Sequence, residues 1–184
     1  DELHRLGKFS AARTAQVATS VCDVLAEAHG AGIVHRDIKP SNVFLHRSKT
    51  EEQVKVIDFG IAKLTGEGVE SDMSATITGT WVGSPAYMAP ERFTGDPYDG
   101  RADVFAVGVM MYEMLTAQLP YQSTPGGQWS FASMHAKAPA TLSTIEPAVP
   151  PALDAAIMRA MSREPENRPS AAELATELRT TLSD

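Results

Sequence analysis

The most reactive set of side chains in this sequence lies between His35 and Asn42. Within eight residues it places an imidazole, two cations, a carboxylate and an amide. The apolar pair Ile33-Val34 precedes this stretch, and the apolar run Val43-Phe44-Leu45 follows it. Polar groups held between two apolar runs are typical of a loop on a rigid frame, where catalytic groups usually lie. Residues 35–42 are therefore the candidate catalytic loop.

The hydrophobic pattern predicts that helices surround this loop. Ser10 is a suitable N-cap for a helix that runs to about His29. Residues 102–115 are apolar almost all round, which predicts a helix buried on every side. Two more helices are expected to begin at Pro150-Pro151 and at the capping box of residues 170–173. Short strands are expected on both sides of the loop, and the strand after it should pair with residues 54–57. The predicted fold class is mainly α with a small β hairpin.

Length and charge exclude several kinds of protein. The 184 residues fit one domain, and the net charge of −7 argues against nucleic acid as a main partner, because phosphate binding needs a basic face. Cys22 is the one cysteine in the sequence, which fits a reducing compartment. No apolar run approaches the roughly 20 residues that span a bilayer. We expect a cytoplasmic chain with no membrane segment of its own, although a full-length parent could be membrane-anchored.

The spacing of three motifs is more informative than any one of them. A His-Arg-Asp triplet alone is commonly an ordinary solvated turn. Here Asn42 follows Asp37 at the H-R-D-x-x-x-x-N interval, Asp58-Phe59-Gly60 comes next after a predicted strand, and Ala89-Pro90-Glu91 closes a long segment without a clear hydrophobic period. These motifs in this order are the signature of protein kinases. The sequence therefore resembles the eukaryotic-type protein kinase family, and most closely its bacterial serine/threonine branch.

The resemblance covers the whole chain and implies an α+β fold, the C-terminal lobe of the protein kinase fold over residues 1–184. It implies a catalytic loop at 35–42 and an activation segment at 58–91. The sequence contains no glycine-rich phosphate loop and no Val-Ala-Ile-Lys strand. The missing N-terminal lobe is therefore an expected partner, and the chain is expected to have little kinase activity by itself.

The resemblance also implies transfer of the γ-phosphate of ATP to a serine or threonine hydroxyl of a protein substrate, with Mg²⁺ as cofactor. Asp37 would be the catalytic base, and Lys39 would bring a cation to the γ-phosphate. Asn42 and Asp58 would supply oxygen ligands, which Mg²⁺ prefers. Lys39, Asn42 and Asp58, together with Ser41, form the expected nucleotide-binding group. Ser41 stands where many basophilic kinases have a glutamate that reads a substrate arginine.

Other residues are implied to regulate or support this site. Arg36 would pair with a phosphorylated residue of the activation segment and so order that segment. The candidates for that modification are Thr76, Thr78 and Thr80. Ser84 replaces a threonine that usually contacts the catalytic aspartate and lysine.

Four further residues have implied structural roles. Glu91 and Arg168 are expected to form a buried ion pair. Asp103 is expected to hydrogen-bond the catalytic-loop backbone. His35 and Phe59 are expected to pack the loop against the hydrophobic interior.

Two alternatives remain beside the kinase interpretation. One is a non-catalytic binding or scaffolding module of kinase descent, which the missing lobe favours and the intact motifs disfavour. The other is a small-molecule kinase of the aminoglycoside type. Lys39 and the full segment from Asp58 to Glu91 disfavour it, because protein kinases use that segment for peptide docking.

Overall fold

The computed structural model describes residues 7–48, 52–59, 85–121 and 138–182, and the account below concerns these ranges. Two strands, β1 (Val43–Arg47) and β2 (Glu52–Val56), form an antiparallel hairpin in which Val43 lies opposite Val56. The α-helices are α1 (Ala11–Gly30), α2 (Pro90–Thr94), α3 (Arg101–Thr116), α4 (Leu142–Ile145), α5 (Pro151–Ala160) and α6 (Ala171–Thr181). None of these helices is both long enough and apolar enough to cross a membrane. The predicted class, mainly α with a small β hairpin, is confirmed.

Helix α3 is the centre of the hydrophobic core. Nearly all of its residues are buried, as its apolar sequence requires, and it packs against α1 and α5. Gly108 allows the close approach of α5, because a Cβ there would lie 2.7 Å from Cγ of Met161. The ring of Phe105 stacks on that of Tyr121 with centroids 6.0 Å apart. The core therefore gives α3 a rigid position, and the first turn of α3 faces the candidate catalytic loop.

Helices α1 and α6 pack along each other, and each begins at a serine cap. The Ser10 hydroxyl accepts a hydrogen bond from the backbone N–H of Arg13 at 3.2 Å. At the start of α6, Ser170 and Glu173 form a reciprocal capping box. These hydrogen bonds lower the pKa of Glu173, because they favour its carboxylate. Both helix starts thus follow the predicted signals.

The predicted strand before the catalytic loop is wrong. Ile33 and Val34 form no strand, since the N–H of Ile33 donates to the carbonyl of Ala28 and the N–H of His35 donates to a side chain. These backbone groups complete the end of α1 and position the loop. The hairpin lies wholly after the loop, with β1 ending at Arg47 and β2 beginning at Glu52.

Two short helices, α2 and α4, were not predicted from the sequence. Helix α2 begins at Pro90, which is well placed in a first helical turn. Helix α4 is capped by a distant side chain, because the carboxylate of Asp154 accepts from the N–H groups of Leu142 and Ser143, each at 3.1 Å. A cap supplied from another helix leaves no local signal in the sequence.

Candidate active site

The backbone of the candidate catalytic loop is held by Asp103 on the first turn of α3. This aspartate is 1% exposed and accepts hydrogen bonds from the N–H groups of His35 and Arg36, both at 2.8 Å. It also contacts Nε2 of His29, at the end of α1, at 2.9 Å. The predicted contact between Asp103 and the loop backbone is therefore present.

Arg36 has a left-handed backbone conformation, with φ of 73°. A residue with a Cβ loses roughly 1–3 kcal/mol in such a conformation unless its surroundings enforce it. Asp103 supplies part of that enforcement through the Arg36 N–H. Strain of this kind occurs most often at functional sites, and here it lies directly before the predicted catalytic base.

His35 packs the loop against the residues that follow β2. Its side chain is fully buried, and its ring lies 4.5 Å from that of Phe59 between centroids. The ring nitrogen Nε2 lies 2.9 Å from the carbonyl oxygen of Ile57, while Nδ1 lies 3.3 Å from the backbone N–H of Asp37. A neutral ring with its proton on Nε2 satisfies both contacts. His35 is thus buried as predicted, and Phe59, which is half-buried, contacts its ring.

Asp37, Lys39 and Asn42 form one connected polar group. Lys39 Nζ lies 2.8 Å from Oδ2 of Asp37. The amide nitrogen of Asn42 donates to the Asp37 carbonyl at 2.8 Å and to Asp37 Oδ2 at 3.1 Å. The Asp37 side chain is 33% exposed, so a substrate can reach it. Its carboxylate is oriented by two donors while remaining open to solvent.

Asp58 is fixed to this group through the residue that precedes it. The N–H of Ile57 donates to the carbonyl of Asn42 at 3.0 Å, and the Ile57 carbonyl contacts the His35 ring. Asp58 itself has a φ of 58° and is exposed, and no side chain in the described ranges pairs with it. These backbone contacts therefore hold residue Asp58 beside the candidate catalytic loop.

The side chains of Asn42 and Asp58 fit a magnesium ion. The side-chain nitrogen of Asn42 donates to Asp37. The Oδ1 oxygen of Asn42 has no hydrogen-bond partner within the described part of the chain. That part holds no cluster of three or more His, Cys, Asp or Glu side chains that would enclose a metal. Two oxygen ligands suit Mg²⁺, which usually keeps several waters and binds substrate phosphates as well.

Phe44 and Ile57 form an exposed apolar surface that the sequence reasoning missed. Phe44, on β1, is 52% exposed, and Ile57, directly after β2, is 37% exposed. Both are close in the chain to the candidate metal ligands Asn42 and Asp58. The sequence signal was present, since Phe44 occupies an outward-facing strand position two residues after Asn42. An apolar surface beside the candidate metal ligands suits a flat heterocyclic base.

Glu91 and Arg168 form the predicted buried ion pair. Two guanidinium nitrogens of Arg168 donate to the two carboxylate oxygens of Glu91, at 2.7 and 2.8 Å. Arg168 also donates to three backbone carbonyls, those of Ser162, Arg163 and Arg101. Its side chain is 0% exposed, and its guanidinium carbon lies 4.9 Å from the ring centroid of Phe105. The pair anchors α2 to the helical core.

A second short anchor lies just before α2. Tyr87, on the 3-10 turn Pro85–Tyr87, donates its hydroxyl to the Glu113 carboxylate on α3 at 2.5 Å. Burial and this carboxylate raise the pKa of the Tyr87 phenol well above its usual value, so the hydroxyl stays a donor. The chain that enters α2 is thus fixed to α3 as well.

The remaining predicted residues take no part in the contacts given above. Ser41 is exposed on the 3-10 turn Pro40–Asn42. The other predicted positions, which are Gly60, Thr76, Thr78, Thr80 and Ser84, lie outside the described residues.

Comparison with known proteins identifies relatives of this chain. A family model described as Protein kinase domain matches residues 1–178. The serine/threonine-protein kinase Pkn1 of Myxococcus xanthus is 43% identical over 142 residues, which cover 77% of this chain and 20% of that protein. The serine/threonine-protein kinase PknH of Mycobacterium tuberculosis is 37% identical over 149 residues, which cover 80% of this chain and 22% of that protein.

A solved structure shows the same fold. The kinase domain of Mycobacterium tuberculosis PknI, 24% identical, aligns with 95% of this chain and 57% of its own chain at a TM-score of 0.68. This chain spans about a fifth of the length of the curated relatives it matches. Because the family model matches nearly every residue, the chain belongs to the protein kinase domain family.

Proposed function

We propose that this chain is the large-lobe portion of a cytoplasmic serine/threonine protein kinase, which transfers the γ-phosphate of ATP to serine or threonine hydroxyls of proteins. The observation that carries the proposal is the connected group of Asp37, Lys39 and Asn42, with Asp58 held beside it by the two hydrogen bonds of Ile57. The proximity of these four residues supports the proposal, because phosphoryl transfer requires a base, a cation and metal ligands close together.

In this proposal each polar residue of the loop has its own role in the reaction. Asp37 accepts the proton of the substrate hydroxyl while that oxygen forms a bond to the γ-phosphorus and the bond to the β-phosphate oxygen breaks. Oδ2 of Asp37 is bound by Lys39 and Asn42, which leaves Oδ1 to face the hydroxyl. Lys39 lies 2.8 Å from the base and is therefore close to the oxygens on which charge develops. A general base of this kind contributes about 10²- to 10⁴-fold to the rate.

Asn42 and Asp58 are the residues that would hold Mg²⁺, and the ion would neutralise charge on the phosphates of ATP. The amide of Asn42 is kept in one orientation by Asp37, so its oxygen is directed away from the base. Phe44 and Ile57 offer the nearby apolar surface for the adenine ring. Ser41 completes the predicted nucleotide-binding group.

The choice of a protein substrate rests on two arguments. The relatives that are 43% and 37% identical are named serine/threonine-protein kinases. The resemblance adds that a lysine at position 39 is typical of serine/threonine kinases. Regulation would act through Arg36 and a phosphorylated threonine among Thr76, Thr78 and Thr80.

We further propose that a small lobe completes the site. The printed residues contain no glycine-rich loop and no strand lysine for the α- and β-phosphates. The glycine-rich loop and the strand lysine would both come from that lobe, which would also cover the apolar surface of Phe44. Residues 1–184 by themselves would then transfer phosphate at little or no rate.

The test compares residues 1–184 with the full-length polypeptide that contains them. Each is incubated with ATP, Mg²⁺ and a generic protein substrate, and the modified residues are identified by mass spectrometry. We expect the full-length protein to modify serine and threonine and the isolated chain to be nearly inactive. Turnover by residues 1–184 at about 1–100 s⁻¹, the usual kinase range, would refute the need for a small lobe. Binding of Mg²⁺-ATP without transfer by the full-length protein would favour a non-catalytic scaffold instead.

A further inference from the structure

Arg92 contacts the catalytic loop, although it is separated from that loop by more than 50 residues. Its Nη1 donates to the carbonyl oxygen of Arg36 at 2.5 Å across a sequence separation of 56 residues. Arg92 follows Glu91 directly on α2, and Glu91 is fixed in the core by Arg168. The Arg92 side chain therefore projects from an anchored element toward the residue that precedes the predicted base.

The Arg36 carbonyl belongs to the peptide unit that joins Arg36 to Asp37. The N–H of this unit is directed at Nδ1 of His35, at 3.3 Å, and its carbonyl is bound by Arg92. Asp103 holds the two preceding N–H groups but does not contact this unit. Because the φ of Arg36 is 73°, the peptide plane needs support to keep this orientation. A rotation of the plane would also turn the Asp37 side chain.

The ring of Tyr98 keeps the Arg92 side chain directed at this carbonyl. The guanidinium carbon of Arg92 lies 5.4 Å from the ring centroid, and that of Arg36 lies 5.8 Å from it. An aromatic face attracts a guanidinium at such distances, so one ring holds both cations in place. Tyr98 is half-buried in the segment between α2 and α3.

We propose that Arg92 is a positioning residue that sets the orientation of the catalytic base through the Arg36 carbonyl. The inference rests on the proposed kinase function, and it assigns a positioning role to α2. Because Glu91 on α2 is fixed by the buried Arg168, the Arg92 donor is held at a constant place beside the peptide before Asp37. Arg92 thereby couples the anchored helix α2 to the geometry of the base.

The test uses three variants of the full-length polypeptide that contains this chain. Arg92→Met removes the donor and keeps the apolar stem, Arg92→Lys keeps a cationic donor, and Tyr98→Leu removes the ring alone. Arg159→Gln is the matched control, since Arg159 is a surface arginine on α5 that pairs with Glu177. Hydrogen exchange is measured for the peptide covering residues 33–42, and kcat and KM for ATP are measured separately.

We expect Arg92→Met to speed exchange of the loop amides and to lower kcat by about 10- to 100-fold, with KM for ATP changed less than about twofold. Arg92→Lys should recover most of both losses, and Tyr98→Leu should show a smaller loss in the same direction. A purely structural role would not produce a kcat loss that a cationic donor rescues at unchanged KM.

Unchanged loop exchange in Arg92→Met, or a loss equal to that of Arg159→Gln, would overturn the proposal. If Arg92→Met does not fold, the other two variants decide the question. The proposal would also be overturned if both Arg92→Lys and Tyr98→Leu keep the wild-type exchange, kcat and thermal stability. A wild-type protein without any phosphate transfer would refute the kinase function, while the exchange measurement would still decide the role of Arg92.

Discussion

Asp103→Asn replaces one oxygen atom in the side chain that holds the candidate catalytic loop. The carboxylate accepts from the N–H groups of His35 and Arg36 and contacts Nε2 of His29. An asparagine retains Oδ1 for Arg36, and His29 can meet the new amide by changing its tautomer. The N–H of His35, however, then faces an amide NH₂ group inside a site that is 1% exposed.

The expected loss in the free energy of unfolding follows from these contacts. One orphaned buried donor costs about 1–3 kcal/mol, and each of two hydrogen bonds that change from charged to neutral loses about 1 kcal/mol. We therefore expect Asp103→Asn to reduce the free energy of unfolding by about 3–5 kcal/mol. Urea-induced unfolding followed by far-UV circular dichroism measures this difference, and hydrogen exchange shows whether the amides of His35 and Arg36 lose protection.

Asp99→Asn is the matched control for this prediction. Asp99 lies one turn earlier, its side chain is 63% exposed, and it accepts from the N–H of Arg101 at 2.8 Å. Because asparagine keeps an oxygen that accepts this exposed hydrogen bond, the change in the free energy of unfolding should stay below about 1 kcal/mol. If Asp103→Asn is as mild as Asp99→Asn, the carboxylate does not hold the loop in the way the structure indicates.

Three further predictions concern the helical core. Arg168→Met leaves the Glu91 carboxylate buried without its partner and should cost at least about 3–5 kcal/mol in urea unfolding, so an unchanged midpoint would contradict the buried pair. Burial raises the pKa of the Cys22 thiol from 9.0 to about 12, so the folded protein should resist alkylation at mildly alkaline pH. Because the folded state retains the thiol proton, stability should fall as the pH rises from 9.0 toward 12, whereas fast alkylation of the native protein would show an accessible thiol. Gly100→Ala places a Cβ 2.4 Å from Nδ1 of His29 and should cost about 1–3 kcal/mol in urea unfolding, and a neutral effect would show that the imidazole can move freely.

The sequence predicted the elements whose signals are local. Ser10 and the Ser170 capping box each define a helix start within four residues, and both are observed. The apolar run of residues 102–115 predicted the buried helix α3 to within a residue at each end. Ion pairing of Glu91 with Arg168 came from the family resemblance, since no local pattern joins residues 77 positions apart.

What the sequence did not reveal depends on distant partners. Ile33 looked like part of a strand, but its N–H completes the end of α1. Helix α4 depends on Asp154, which is on α5. The link from Arg92 to Arg36 depends on how α2 is anchored and on a left-handed backbone, neither of which is visible in residue spacing.

The most direct test of the central claim is the rate of phosphate transfer from ATP by the full-length polypeptide that contains this chain, measured with and without Asp37→Asn. If Asp37 is the base, the substitution should lower transfer to protein serine and threonine by at least about 100-fold while the affinity for Mg²⁺-ADP is largely kept. Transfer at the wild-type rate by the Asp37→Asn protein would contradict the account.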